Sequence, residues 1–207
     1  MNIGFHKHFD FHSTGLIGIV TPLVLRPIAQ ITNGVSESQR VGAAIHIHSI
    51  EIHIRVRPDE LITIGSPTTG YLCGNLRWAF VMDSQPQSAD PAYTEIWTDI
   101  ETSSFPRSFN ECRFDIMYDD VIVPYLTTDR EITNVDQTTG VVTSEVRPVL
   151  HYDHRIQVFR FDPPIRIDYD DSGATFPVAG LEPVLTVTSP DVPFDATIRV
   201  RTIFSDY

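Results

Sequence analysis

The sequence predicts an all-β fold, a single eight-stranded antiparallel jelly roll in which two four-stranded sheets pack together and long loops join the strands. Three observations predict it. Stretches of alternating apolar and polar residues, rich in Val, Ile and Thr, recur along all 207 residues, and such alternation is typical of strands with one buried face. Fifteen Pro and eleven Gly separate these stretches. About eight strands in a chain of this length suit a jelly roll or a related sandwich. No repeat or linker divides residues 1–207, so we expect one domain.

Composition argues against several classes of protein. Hydrophobic residues make up 42% and charged residues 20% of the chain, so it can bury a core and is not a disordered chain. The net charge of −12 argues against a free-standing nucleic-acid-binding domain, because phosphate binding needs a surplus of cations, although a local basic patch remains compatible with it. The sequence shows no signal peptide and no apolar run of about 20 residues, so we expect a soluble chain without a membrane partner.

The two cysteines, Cys73 and Cys112, are far apart and form no CxxC or CxxH pattern. We therefore expect two buried free thiols, with a single disulfide as the alternative.

The N-terminal part of the chain is predicted to be extended. Its histidines alternate with phenylalanines, as on an edge strand with one polar side. These histidines are His6, His8 and His12. Pro22 and Pro27 argue against a helix over residues 15–31, because proline interrupts helical hydrogen bonding.

The longest predicted strand follows, over residues 43–57, and its alternation contains a fault. Ile45 and Ile47 occupy odd positions, whereas the later Ile and Val residues, from Ile50 to Val56, occupy even ones. Since side chains change face at each residue, one regular strand would place the two sets on opposite sides. A bulge near residues 48–49, or a break between two strands, restores a single apolar face. The polar face then carries His46, His48, Glu51, His53, Arg55 and Arg57.

The rest of the chain predicts shorter strands. Residues 76–83 have apolar side chains at both odd and even positions, so we expect burial on both sides. Residues 94–100 form the only short stretch with helical character, and the polar residues 127–144 are expected to form an exposed excursion. The sequence Asp162-Pro163-Pro164 is expected to end a strand. The remaining strands are predicted at residues 113–123, 155–161, 165–169, 183–188 and 197–204.

The pair His46 and His48 is the most enzyme-like feature, because two histidines on the same side of a strand can share a metal ion. With Gly42 and Glu51, the pair loosely resembles the first motif of the cupins, which are metal-binding jelly rolls. The intervals differ from that motif, and the second cupin motif is absent. His151 and His154 are the other histidines that could supply ligands. We therefore predict no metal site, and a cupin-like metal-binding enzyme stays as an alternative.

Acidic residues cluster at two places, and we expect them to be solvated, with a bound divalent ion or catalysis as the alternatives. The clusters are Asp119 with Asp120, and Asp168 with Asp170 and Asp171. The sequence contains no nucleophile elbow and no phosphate-cradling Gly-rich loop. It therefore predicts neither an enzyme nor a cofactor.

Several stretches in chain order resemble the single jelly-roll capsid proteins of circular single-stranded DNA viruses that encode a replication initiator, the circovirus-like group. The stretches are HKHFDF, IAQITNG, QRVGAAIHIHSIEIHIRV, LRWAFVMDSQPQSADPAYTEIW, RFDIMYDD and IRVRTIFSDY. Together they extend over nearly the whole chain. The resemblance implies a subunit that self-assembles into a small icosahedral shell around a single-stranded DNA genome, located in the virion and assembled in the host cell, in the nucleus.

Members of that group usually begin with an Arg/Lys-rich arm, and this sequence departs from the pattern because shell-like residues start at once. Binding of single-stranded DNA would then depend on other basic residues. The candidates for a surface facing nucleic acid are Arg40, Arg55, Arg57, Arg199 and Arg201. A carbohydrate- or protein-binding β-sandwich stays as a further alternative, with Tyr93, Trp97 and Tyr125 as its surface aromatic residues.

Overall fold

The protein is described by a computed structural model, in whose described residues eleven strands form three antiparallel sheets. The residues described are 6–17, 22–58, 75–101, 104–106, 113–123, 126–135, 142–150, 153–170, 176–190 and 194–206. The strands are β1 (Lys7–Ile17), β2 (Leu23–Leu25), β3 (Ala44–Pro58), β4 (Leu76–Asp83), β5 (Phe114–Ile122), β6 (Leu126–Val135), β7 (Val142–Leu150), β8 (Asp153–Tyr169), β9 (Pro177–Gly180), β10 (Glu182–Thr188) and β11 (Phe194–Asp206). The helical elements are a 3₁₀ turn (Pro27–Gln30) and α1 (Tyr93–Ile96).

The strand order establishes the jelly roll. One sheet has the order β1-β11-β3-β8-β9 and the other has the order β2-β10-β4-β5. The chain crosses from one sheet to the other between β1 and β2, between β2 and β3, and again between β3 and β4, so neighbours within a sheet are distant in sequence. The two predicted four-stranded sheets are thus present. β9 extends the first of them, and β6 pairs with β7 as a separate hairpin between β5 and β8.

The predicted bulge in β3 is confirmed. The pairing of β3 shifts between Ile47 and Ser49 on both sides, against β11 and against β8. His48 is the extra residue, so the odd-numbered Ile47 and the even-numbered Ile50 point to the same side, where both are at most 1% exposed. All the alternating Ile and Val residues of β3 therefore face one core.

That core lies between the two sheets. Ile50, Ile52 and Ile54 of β3 belong to the same buried cluster as Trp78 and Phe80 of β4. Each fully buried Ile or Phe side chain contributes about 2 kcal/mol of transfer free energy, so this cluster is the main apolar contribution to folding.

A second, smaller core covers the outer side of the four-stranded sheet. We call residues 84–101 and 104–106, which contain α1, the covering segment. Its Tyr93, Ile96 and Trp97 pack on Ala79 and Val81 of β4. Every residue of β4 is consequently buried, as the sequence predicts. The helical character predicted at residues 94–100 appears as the shorter α1, which ends at Ile96.

Two boundaries differ from the prediction, and one group of residues lies outside the description. The strand expected to end at Asp162-Pro163-Pro164 continues as β8, because residues 161–164 form an unpaired bulge opposite His48, where proline costs no ladder hydrogen bond. The described residues of the polar excursion, 127–135 and 142–144, belong to the hairpin β6–β7, which continues to Leu150. The residues outside the description include Cys73, Cys112, Tyr125, His151 and Asp171. Within the described ranges, no helix is long and apolar enough to span a membrane.

Candidate functional site on the outer face of the five-stranded sheet

The outer face of the five-stranded sheet is largely polar because β1, β11, β3 and β8 turn most of their apolar residues to the core, with Ile156 and Val158 of β8 as exposed exceptions. Antiparallel pairing brings their outward residues into rows. One row contains Asp10, Arg201 and Glu51, and the next contains His12, Arg199 and His53. Alternation within each strand, together with the pairing of the strands, thus produces a continuous charged surface.

We call this surface the histidine–arginine face. It comprises the outward residues of the four strands together with His6, which precedes β1, and the bulge residue His48. Its arginines are Arg55, Arg57, Arg160, Arg166, Arg199 and Arg201. Its carboxylates are Asp10, Glu51, Asp168 and Asp195. Its histidines are His6, His8, His12, His46, His48, His53 and His154. These are seven of the eight histidines in the chain.

Three of the four carboxylates form ion pairs with arginines of the same face. Arg201 donates to both oxygens of Asp10, at 2.7 and 2.8 Å, and this hydrogen bonding lowers the pKa of Asp10. The other two pairs are Arg57 with Asp195 and Arg166 with Asp168, each at 2.8 Å. The remaining carboxylate, Glu51, lies 2.5 Å from Nε2 of His53. These pairs are largely exposed, so they orient the face more than they stabilise the fold.

The histidines form two groups on this face. The rings of His6 and His48 are 4.4 Å apart, and His48 Nε2 lies 2.9 Å from Ser205 Oγ. Burial lowers the pKa of His48, and repulsion from His6 and His46 lowers it further. The second group is His53 with His154, whose ring centroids are 5.6 Å apart. His53 also lines a shallow depression of about 440 Å³, together with His12 and Arg199.

Four of the five arginines singled out in the sequence lie together on this face, at the outward positions 55, 57, 199 and 201. The fifth, Arg40, is only 1% exposed. Its guanidinium stacks 4.3 Å from the ring centroid of Tyr169 and donates to the carbonyl of Gly42. The expectation that Arg40 faces nucleic acid is therefore wrong for the folded subunit, because its charge is buried inside it.

Sequence reasoning missed Arg160 and Arg166, and it did not join the N-terminal histidines to those of β3. All of these residues reach the face through strand pairing. β8 lies beside β3, and β11 lies between β1 and β3. The available signal was the repeated His-x-His spacing, at His6–His8 and at His46–His48.

The metal hypothesis receives no geometric support. Glu51 bonds to His53, whereas His48 turns towards His6 and Ser205, so Glu51 and His48 have different partners. In the part of the chain that the structure describes, no group of three or more His, Cys, Asp or Glu side chains could hold a metal ion.

Three other candidate residues are engaged within the fold. Asp119 accepts two hydrogen bonds from Arg77, whose guanidinium stacks on Trp97 at 3.8 Å. Tyr93 and Trp97 are 5% and 0% exposed. They belong to the second core, so the expectation that they are surface aromatic residues is wrong.

The comparisons with known proteins leave the function open. No protein-family model matches the chain, and no curated protein matches it. Among solved structures, the 60-mer of the BFDV capsid protein is 10% identical, with a TM-score of 0.34, and the match covers 99% of this chain and 94% of that one. Empty particles of Cowpea mosaic virus are also 10% identical, with a TM-score of 0.35 and coverage of 96% and 85%. A decamer of the BFDV capsid protein has a TM-score of 0.33 at 10% identity, covering 97% and 96%. At TM-scores below 0.5, these similarities assign no function.

Proposed function

We propose that this protein is a viral capsid subunit that self-assembles into a small icosahedral shell enclosing a single-stranded DNA genome, within a virion assembled in the host nucleus. The observation that carries the proposal is the jelly-roll strand order, with sheets β1-β11-β3-β8 and β2-β10-β4-β5. Three of the sequence stretches that resemble the circovirus-like capsid proteins fall on its elements: HKHFDF lies in and just before β1, RFDIMYDD lies in and just before β5, and residues 198–206 of the closing stretch lie in β11.

The mechanism is structural. The core between the two sheets holds the subunit together, and the loops between strands would contact neighbouring subunits. The polar histidine–arginine face turns towards the genome, with Arg55, Arg57, Arg199 and Arg201 as its cationic contacts. A jelly roll with one covered outer face and one uncovered polar face has two distinct sides, as a shell subunit requires.

The alternatives have less support in the geometry. A cupin-like metal-binding enzyme needs converging ligands, and His48 and Glu51 have different partners. A carbohydrate-binding sandwich needs exposed aromatic residues, and Trp97 is fully buried.

Particle formation tests the proposal. The subunit mass is 23.4 kDa, so light scattering coupled to gel filtration separates monomers from shells without ambiguity. We expect closed particles of uniform diameter in negative-stain micrographs, over at least part of a series from low to high salt at pH 5.5 to 8. A homogeneous 23.4 kDa monomer throughout that series would overturn the proposal.

A further inference from the structure

We propose that the histidine–arginine face binds the phosphate backbone of single-stranded nucleic acid when its histidines are protonated and releases it when they are neutral. The choice of ligand rests on the proposed shell function, because the genome is the polyanion that a shell encloses. The pH dependence rests on the geometry of the face.

The first argument is the distribution of charge. The chain has a net charge of −12 with its histidines neutral. The six arginines of the face outnumber its four carboxylates, so the face is slightly positive while the remainder of the molecule is more acidic than the whole. The excess negative charge outside the face repels a polyanion, whereas the face attracts it.

The second argument is that this positive charge is small at neutral pH. Most of the arginines of the face are already engaged, as in the pairs of Arg57 and Arg201 with Asp195 and Asp10. Three of the six arginines are paired with carboxylates of the face, so few of its cations are available to bind a phosphate backbone, and few cations give weak binding.

The third argument is the concentration of histidine. Seven of the eight histidines lie on this one face, and histidine is the side chain that ordinarily changes charge between pH 5 and 8. Each imidazole that takes up a proton adds one positive charge to the existing balance of two and presents two N–H donors, whereas the lowered pKa of His48 makes that residue resist protonation. Acidification thus makes a nearly neutral surface more cationic.

The groups around the histidines come from every strand of the face, and most are cationic. His12 and His53 flank Arg199 of β11, and His46 lies opposite Arg166 of β8. His48 is surrounded by His6 and His46, and burial lowers its pKa. The opposing charges are Asp10, Glu51, Asp168 and Asp195, each already paired, and the Lys7–Asp206 pair at the end of the sheet. Protonation therefore builds up mutual repulsion that a bound polyanion relieves, so binding and proton uptake are linked.

The chemistry of the face favours phosphates over a protein partner. Its described outward positions contain no Trp, Tyr or Phe, and its large exposed apolar residues, Ile156 and Val158, lie together on β8. Protein interfaces usually have an apolar core, whereas contacts from Arg and protonated His to phosphates need none. Without aromatic residues to stack on bases, binding is independent of base sequence.

Binding of a fluorescent 30-nucleotide oligo(dT) to the untagged chain tests the inference. Fluorescence anisotropy is measured at pH 7.5, 6.5 and 5.5 and at two salt concentrations. We expect the affinity at pH 5.5 to exceed that at pH 7.5 by at least about tenfold and to fall with salt. Equal affinity at the three pH values would overturn the proposal.

Variants locate the effect on the face. The triple variant His8→Gln, His12→Gln, His53→Gln removes three of the seven histidines and is expected to lose a corresponding part of the pH dependence. Arg199→Gln is expected to weaken binding at every pH. The matched control is Arg155→Gln, which lies on β8 with its side chain paired to Asp153 rather than on the face, and it is expected to bind as the wild type. If circular dichroism shows that the triple variant is unfolded, the single variants His12→Gln and His53→Gln replace it, each losing part of the pH dependence. Full pH dependence in the folded histidine variants would refute the assignment to this face.

Two further outcomes separate this inference from its rivals. Self-association at pH 5.5 without oligonucleotide, seen by sedimentation velocity and lost in the triple variant, would reassign the face to a second copy of the chain. Shells that form at pH 7.5 from a chain that never binds oligo(dT) would refute this inference and leave the proposed function standing. A chain that binds oligo(dT) at pH 5.5 and never forms particles would refute the shell alone.

Discussion

The outer face of the four-stranded sheet is covered, whereas the outer face of the five-stranded sheet is accessible, although both sheets share one core. On the four-stranded sheet, Ala79 and Val81 of β4 lie beneath Trp97 and the rest of the covering segment. On the five-stranded sheet, Glu51, His53 and Arg55 occupy the corresponding outward positions of β3, and each remains at least partly accessible.

This difference indicates that the covered face contributes to stability and that the uncovered face is available to bind a partner. The covered face adds a second apolar cluster and buries Arg77, which bonds to Asp119 and to Ser104. The uncovered face contributes little to folding, because its ion pairs are solvated. Its residues are therefore free to serve a partner, and substitutions in the two faces should differ accordingly in their effect on stability.

The largest expected effect is that of Trp97→Ala. Trp97 is fully buried, donates to Thr186 Oγ1 at 3.2 Å and stacks on Arg77, so its removal leaves a cavity and should lower the free energy of unfolding by about 4 kcal/mol. Urea denaturation of the unassembled subunit measures it. The contrasting variant is Ser49→Ala on the outer face of β3, expected to change stability by less than about 0.5 kcal/mol. Equal losses in the free energy of unfolding for the two variants would contradict the contrast between the covered and the uncovered face.

The next effect concerns the ion pair that lies beside the covering segment. Glu182 accepts from Arg26 at 2.7 and 2.8 Å, and the two side chains are 0% and 2% exposed. Glu182→Gln leaves a buried guanidinium without its main counter-charge and should cost about 3 kcal/mol.

The matched control for that variant is Asp90→Asn, since Asp90 contacts the same Arg26 at 3.4 Å but is 67% exposed. Its cost should stay below about 1 kcal/mol. The double variant Arg26→Met, Glu182→Leu should recover most of the stability lost in Glu182→Gln, because it removes both buried charges. Urea denaturation of the three variants measures these differences, and a double variant no more stable than Glu182→Gln would show that the pair is not the cause.

The smallest effect is the pH dependence of stability on the uncovered face. Burial and the neighbouring His6 and His46 lower the pKa of His48 in the folded state, so below the ordinary histidine value of about 6.5 the unfolded chain takes up a proton that the folded chain resists. Stability should therefore fall as the pH drops from 7.5 to 5.5, and His48→Gln should make this fall smaller. Urea midpoints at both pH values measure it. Parallel pH profiles for the wild type and His48→Gln would contradict the prediction.

Much of the fold follows from local patterns in the sequence. Burial of β4 on both faces follows from apolar residues at odd and even positions, and the bulge at His48 follows from the change of parity between Ile47 and Ile50. The prediction that a strand ends at Asp162-Pro163-Pro164 was wrong, because a bulge of unpaired residues in β8 accommodates both prolines.

The site was only partly predictable. Arg55 and Arg57 could be placed on the polar side of β3 because alternation is a property of one strand. Arg40 could not be placed, because its burial depends on Tyr169, which is distant in sequence. The burial of Trp97 could not be predicted either, because the sequence does not show that its segment folds back over β4.

The sequence by itself therefore determined which residues of β3 face the core and that β4 is buried on both sides, because alternation with apolar side chains is a local requirement of burial. Only the tertiary structure decided which strands are neighbours. β11 pairs with β1 across nearly the whole chain, so that Asp10 meets Arg201, and β8 pairs with β3. Hydrogen-bonded pairing between distant strands depends on the path of the chain between the sheets, and that path brought the scattered histidines and arginines onto a single face.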